Sequence, residues 1–146
     1  VSKEEMEAVL QKVNLLGFLQ TQDGLQTKLQ EKAGNLSGGQ CQRLVIARAL
    51  LKDAEVYIFD EATSNIDVES EELIMDVIHE LAKKRTVLLI SHRLANVVKS
   101  DRIYFLKDGK IKESGKHEEL MQKNGAYRHL YESQMALENY GKRDNR

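Results

Sequence analysis

Apolar residues recur along this chain first at helical spacing, then in short unbroken runs, and then at helical spacing again. Ser2-x-x-Glu5 reads as a capping box, in which hydroxyl and carboxylate each satisfy a backbone N–H of the other's turn. Met6, Val9, Leu10, Val13 and Leu16 follow along one helical face, with Gly17 placed to end the helix. Residues 18–35 are polar and irregular, broken at Gly24 and Gly34. Ser37 starts a second helix reaching about Leu51, whose predicted buried face is Leu44, Val45, Ala47, Ala49 and Leu50 or Leu51.

From Ala54 the pattern changes. Val56–Phe59 is a short apolar run ending in two acids, as expected of a buried parallel strand. Asp67 is placed to cap a third helix, Val68 to about Lys84, with Leu73, Ile74, Val77, Ile78 and Leu81 inward. Thr86–Ile90 is a second apolar strand, followed by a short helix over about Leu94–Lys99. Asp108-Gly109 is a two-residue hairpin signal between Arg102–Lys107 and Lys110–Glu113. The stretch from about His117 to Asn139 reads as helix broken near Asn124-Gly125, and the charged residues after Gly141 as a frayed end. Strand, helix and strand in succession predict a parallel pair and an α/β domain with a helical appendage.

Composition narrows the function classes. The 146 residues are 41% hydrophobic and 31% charged, with a formal net charge of −1. That balance gives no electrostatic footprint for nucleic acid or an anionic membrane. The apolar runs fall well short of the roughly 18 residues a membrane span needs. Cys41 has no partner for a disulfide and reads as a small filler within its helix. The chain opens on Val1 without an initiator methionine, as an excised piece of a longer protein would, or one whose methionine has been removed.

Three places carry chemistry. Asp60-Glu61 stands at the end of an apolar strand, on the edge where parallel sheets present ligands. Alternation along the strand would turn the two carboxylates different ways, one suited to Mg²⁺ and the other to polarising a water. From the strand alone, the same acids would equally suit a helix beginning near Ala62. Leu36-Ser37-Gly38-Gly39-Gln40 puts glycines and a hydroxyl at a helix start, where N–H groups and the dipole attract an anion. Its plainer reading is a glycine-rich cap. His92 follows the second strand, where an imidazole can donate to a phosphate oxygen. A lone histidine there also suits a satisfied polar residue, and His79, His117 and His129 read as surface positions.

In this order, the three pieces resemble the ATP-binding domain of ABC transporters over about residues 10–137. The resemblance implies a partial P-loop NTPase (RecA-like) sheet, with part of the helical subdomain at about 1–50 and the ATPase core and C-terminal helices at about 51–146. It implies the signature motif at Leu36–Gln40, continued by Gln42-Arg43, the Walker B strand at Val56–Asp60 and the catalytic glutamate at Glu61. Ser64–Asp67 is similar to the D-loop and His92 to the switch histidine. Thr27–Ala33 resembles the exporter element usually written Thr-Glu-Val-Gly-Glu-Arg-Gly, with Gln30 and Ala33 standing where glycines are usual.

By that resemblance the cofactors are ATP and Mg²⁺, and the partners a second nucleotide-binding domain and a transmembrane domain met through Thr27–Ala33. Nucleic acid is not an expected partner. Ser37, Gly38, Gly39 and Gln40 would touch the partner's nucleotide, and Asp67 would meet the partner. Asp60 would serve the metal ion, and Glu61 and His92 catalysis, at the cytoplasmic face of a membrane. No Gly-x-x-x-x-Gly-Lys-Ser/Thr phosphate loop occurs in the sequence, so the chain alone is expected to be inactive. Without a neighbouring phosphate-loop strand, Thr86–Ile90 would become an exposed apolar edge prone to self-association. Two other classes use similar motifs: a DNA-maintenance, DNA-repair or ribosome-associated ATPase, and an ATP-independent interaction module. A coiled-coil insertion or basic surface would mark the former and decayed carboxylates the latter; the sequence has none of these.

Overall fold

Ser2 and Glu5 exchange backbone hydrogen bonds at 3.1 and 2.6 Å and open the first helix, α1 (Lys3–Lys12). A computed structural model describes residues 1–143 of the chain, with side chains to Tyr140. Two compact units are present, Val1–Ile90 and the residues from Ser91 onward.

In the first unit α1 stops four residues before the expected position. Asn14 turns the chain with a φ of 53°, a conformation asparagine tolerates better than most residues. Gly17, expected to be the terminator, lies inside a second short helix, α2 (Leu16–Gln20). The stretch expected to be irregular holds α2 and two 3₁₀ turns, Gly24–Gln26 and Glu31–Ala33.

Ser37 caps α3 (Gly38–Leu50) as expected, but the inward face is rotated. Ile46 and Ala47 are buried, whereas Val45, expected inside, is exposed. The reason is Arg43, whose guanidinium donates to the Asn14 carbonyl at 2.9 Å and reaches that of Val13 at 3.5 Å. A basic residue on the inward stripe hides that stripe from a hydrophobicity pattern.

Strand β1 (Val56–Asp60) pairs in parallel with β2 (Thr86–Ile90), from Val56↔Thr86 to Asp60↔Ile90. Between them lies α4 (Val68–Ala82), with Ile74, Met75 and Ile78 buried. These side chains join Tyr57, Phe59 and the α1–α3 residues Val9, Leu10, Ile46 and Ala47 in one core. Leu73, Val77 and Leu81 of the expected stripe are only half-buried, and Met75 takes a central place.

The expectation of strands buried on both faces is corrected. Tyr57 and Phe59 point into the core, but Val56, Ile58, Leu88 and Ile90 are exposed. Among the described residues the sheet has two strands, so a helical layer covers one face and the other is open. Among the described residues β2 pairs with β1 alone, so the edge expected to be open is open, and one whole sheet face is open beside it.

The second unit begins with a 3₁₀ turn, Leu94–Val97, where a short helix was expected. Strands β3 (Ile103–Lys107) and β4 (Lys110–Gly115) form an antiparallel hairpin. Asp108 and Gly109 have φ of 52° and 69°, the left-handed pair that a two-residue turn requires. Helix α5 (His117–Lys123) ends at Asn124, also left-handed, and α6 runs over Ala126–Arg143. Glu113 of β4 caps α6, accepting from the N–H groups of Ala126 at 2.7 Å and Tyr127 at 3.3 Å. Fully buried Tyr127 stacks on Tyr131, meets Phe105 edge-on, and bonds His117 at 2.8 Å. The expected frayed end is helical to Arg143, and its remainder, residues 144–146, lies outside the described residues.

Lys32 and Ala33 both hold φ of 54°. A left-handed alanine costs ~1–2 kcal/mol that glycine avoids, less glycine's own entropic penalty. Replacing Ala33 by Gly is therefore expected to raise the unfolding free energy by about 0.5–1 kcal/mol. Urea unfolding of both chains measures it, and an unchanged or lower midpoint would contradict the strain at this position.

Candidate functional site

The tip of α3 is held by a reciprocal cap. The Gln40 N–H donates to Ser37 Oγ at 3.2 Å, and the Ser37 N–H donates to Gln40 Oε1 at 2.8 Å. The glycine-rich cap and the anion-binding reading are therefore compatible. Ser37 Oγ accepts within the cap and still carries a proton to donate outward. Gly38 and Gly39 occupy the first turn, where backbone N–H groups have no acceptor within the helix. Gly38 is exposed and Gly39 buried.

Upstream, Asn35 organises the Thr27–Ala33 element. Its Oδ1 accepts from the Gln30 N–H at 3.1 Å, and its Nδ2 donates to the Lys28 carbonyl at 3.2 Å. Leu29 is left exposed within that loop. Asn35 was not marked by the sequence pattern, and Arg43 only as a continuation of the signature motif, because each acts on backbone groups that sequence spacing does not reveal.

Asp60 ends β1 opposite Ile90, and the Glu61 N–H donates to the Ile90 carbonyl at 3.0 Å. Glu61 then turns left-handed, with a φ of 49°, so strand alternation stops at Asp60 and does not set the Glu61 direction. The Ser64 N–H closes a turn on the Glu61 carbonyl at 3.0 Å. No helix begins near Ala62; α4 starts at Val68, so Asp60 and Glu61 do not serve as its caps. Both acids are exposed, while Ala62 and Thr63 beside them are buried and anchor the loop.

Asp67 does cap α4, accepting from the Ser70 N–H at 2.8 Å. Its second oxygen lies 3.2 Å from where a Cβ on Gly39 would stand, so the first turns of α3 and α4 are side by side. Of the residues marked by the sequence, Ser37–Gln40 and Asp67 are thus brought together at two helix tips. Asp60 and Glu61 share the end of β1.

His92 belongs to the second unit. It is exposed, and its carbonyl accepts from Gln134 Nε2 at 2.7 Å. Gln134 Oε1 also accepts from the Leu94 N–H at 2.9 Å, so one α6 amide holds the histidine's segment from both sides. An Arg93–Glu138 ion pair at 3.3 Å ties the same segment to α6. The sequence gives no signal for Gln134, which lies 42 residues from His92. Of the other histidines, His129 is exposed as expected, whereas His79 and His117 are half-buried.

Among the described residues no group of three or more His, Cys, Asp or Glu is arranged to hold a metal ion. Mg²⁺ carried on a phosphate typically takes one or two protein carboxylates and keeps its water. Asp60, exposed on a rigid strand end, fits such a role.

The Ser70 N–H, and then its hydroxyl, hold the Asp67 carboxyl below the ordinary value of 3.8, with Arg43 adding attraction. A lowered value in the folded chain means that the unfolded chain takes up the proton first. The cap's contribution is complete above 3.8 and is lost as pH falls through the lowered folded value. Asp67→Asn is therefore expected to flatten the acid limb of melting temperature against pH. Parallel limbs for the two chains below 3.8 would contradict it.

Residues 1–64 match the ABC transporter family. An uncharacterized ABC transporter ATP-binding protein of Haemophilus influenzae is 53% identical over 92% of this chain and 24% of its own length. The ATP-dependent lipid A-core flippase of Vibrio vulnificus is 46% identical over 91% of this chain and 23% of its own. Among solved structures, a bacterial Atm1-family ABC exporter with ATP bound aligns with a TM-score of 0.82 at 34% identity, over 91% of this chain and 23% of that one. The chain thus spans about a quarter of the curated relatives it matches, 24% and 23% of these two. Identity and fold along nearly all of its residues agree: the chain belongs to the ABC transporter family and corresponds to part of the ATP-binding domain of its exporters.

Proposed function

We propose that this chain contributes half of each of two nucleotide sites to an exporter in which ATP binding and hydrolysis drive transport. The observation that carries the reading is the exposed Asp60-Glu61 pair at the end of β1, with no helix there for it to cap. Exposed carboxylates at the carboxyl end of a parallel strand stand where such sheets present ligands. The likeness to an ATP-bound exporter supports the nucleotide as that ligand.

In this reading about residues 1–50 belong to the helical subdomain and about 51–146 to the ATPase core. Ser37, Gly38, Gly39 and Gln40 present a helix tip to the triphosphate held by a second nucleotide-binding domain. Asp67 sits at the same tip but carries negative charge, so its role is to meet partner backbone rather than phosphate. Asp60 holds Mg²⁺ through water; that ion, when bound, neutralises charge on the phosphate oxygens. Glu61 orients and polarises the attacking water, and His92 donates to the γ-phosphate. Closure of the paired domains on ATP, and reopening after hydrolysis, then moves the attached membrane helices.

Among the described residues no helix is long and apolar enough to cross a membrane. In this reading the transmembrane domain of the parent exporter meets the chain through Thr27–Ala33 at the cytoplasmic face. Leu29, exposed in a loop that Asn35 holds in shape, is a fitting contact.

The sequence has no phosphate loop, and its lysine and amide cradle supply much of the grip on a triphosphate. Titration calorimetry of this chain with Mg-ATP should show no micromolar binding; a micromolar dissociation constant would overturn that part. In the full-length exporter, Glu61→Gln should lower kcat by about 10²–10⁴-fold, the usual worth of a positioned base, with ATP binding retained. A wild-type kcat in that variant would remove Glu61 from the mechanism.

A further inference from the structure

Gly38 and Gly39 are neighbours with different surroundings. A Cβ built on Gly38 would meet nothing within 4 Å. A Cβ on Gly39 would stand 2.5 Å from Ser70 Cβ, closer still to Ser70 Oγ, and 3.2 Å from Asp67 Oδ2. Carbon atoms in good contact sit roughly 3.5–4.0 Å apart. A Cβ is fixed to its backbone, so a side chain at position 39 cannot be relieved by a rotamer change. It must push α3 away from α4.

Ser70 fills the notch that Gly39 leaves. It is buried, it lies in the first turn of α4, and its N–H donates to Asp67 Oδ1 at 2.8 Å. The same residue therefore touches the tip of α3 and holds the cap of α4. Arg43, one turn further along α3, donates to the Gly39 carbonyl at 3.3 Å and to the Asn14 carbonyl at 2.9 Å, which fixes that turn to the bend after α1.

We infer that Ser70 is a positioning residue: seated against Gly39, it locks Ser37–Gln40, which meets the partner's nucleotide, and Asp67, which meets the partner itself, into one rigid surface. The inference rests on the proposed role of Ser37–Gln40 as a nucleotide contact. It divides the two glycines by task. Gly38 keeps the ligand side clear, and Gly39 keeps the α4 side clear.

The test uses the full-length exporter and its ATPase activity, with melting recorded for every variant. Gly39→Ala should lower kcat/KM for ATP by about a hundredfold, the size of effect an ångström of misplacement produces. Adding Ser70→Gly removes the atoms in the way and should restore most of that loss. The same Ser70→Gly should give no recovery to Gly38→Ala, whose defect lies on the other side of the turn. Ser70→Val, which crowds the notch from α4, should raise KM for ATP with little change in the melting midpoint.

Failure of Ser70→Gly to rescue a folded Gly39→Ala, or equal rescue of Gly38→Ala, would overturn the inference. Should Gly39→Ala not fold, Ser70→Val decides: an unchanged KM in the folded variant sinks the lock. Absence of ATPase activity in the unmodified exporter would instead refute the functional reading on which the lock depends.

Discussion

The parallel ladder between β1 and β2 fixes everything else in the first unit. Its register sets Asp60 opposite Ile90, and the Glu61 N–H extends it by one bond onto the Ile90 carbonyl. The two carboxylates therefore leave the sheet at a defined place, at the carboxyl end of β1. The same register commits Tyr57 and Phe59 to the face where Ile74 and Ile78 of α4 are buried. A one-residue slip would turn that aromatic pair outward. Core packing and placement of the acids are thus one constraint, felt at both ends of a five-residue strand.

Signals confined to a few neighbouring residues were legible in the sequence. The caps at Ser2, Ser37 and Asp67 and the turn at Asp108-Gly109 all form as the residue types require. Each needs only backbone groups within three positions. What was hidden depends on distant partners. Arg43 lies on the inward face of α3 because it bonds carbonyls 29 and 30 residues away, and this displaced Val45 from its expected place. Gln134, which holds the His92 segment, is equally remote in sequence. The outward face of β1 and β2 was hidden for another reason: an unbroken apolar run on a strand does not say whether one face or both are covered. The candidate site residues were readable as motifs, whereas the contact between Gly39 and Ser70 was not, since a glycine gives no sign of which neighbour requires it.

The relatives sharpen one part of the reading and leave another untouched. A lipid A-core flippase and an Atm1-family exporter bear different names, yet each is similar to this chain over 91% of its residues. Sequence shared by transporters so differently named tracks the nucleotide machinery and not the cargo. The departures from the usual exporter element carry information of a different kind. Ala33 stands where a glycine is usual in the element it resembles and holds a left-handed φ of 54°, a conformation glycine adopts without strain.

Left-handed residues also mark how the helix tips are delivered. Lys32 and Ala33 precede α3, and Glu61 and Asn65 precede α4, all with φ between 49° and 58°. Non-glycine residues in such conformations cost on the order of 1–3 kcal/mol each and persist where the surroundings over-determine them. Here the surroundings are identifiable. Asn35 bonds Gln30 and Lys28 on the approach to α3, and the Ser37–Gln40 box closes it. Buried Ala62 and Thr63 pin the approach to α4, and the Asp67–Ser70 bond closes that one. Each strained loop is thus held between an anchor and a helix cap, and the two caps converge at Gly39. The α3–α4 contact at Gly39 is therefore the place where the ends of both loops meet.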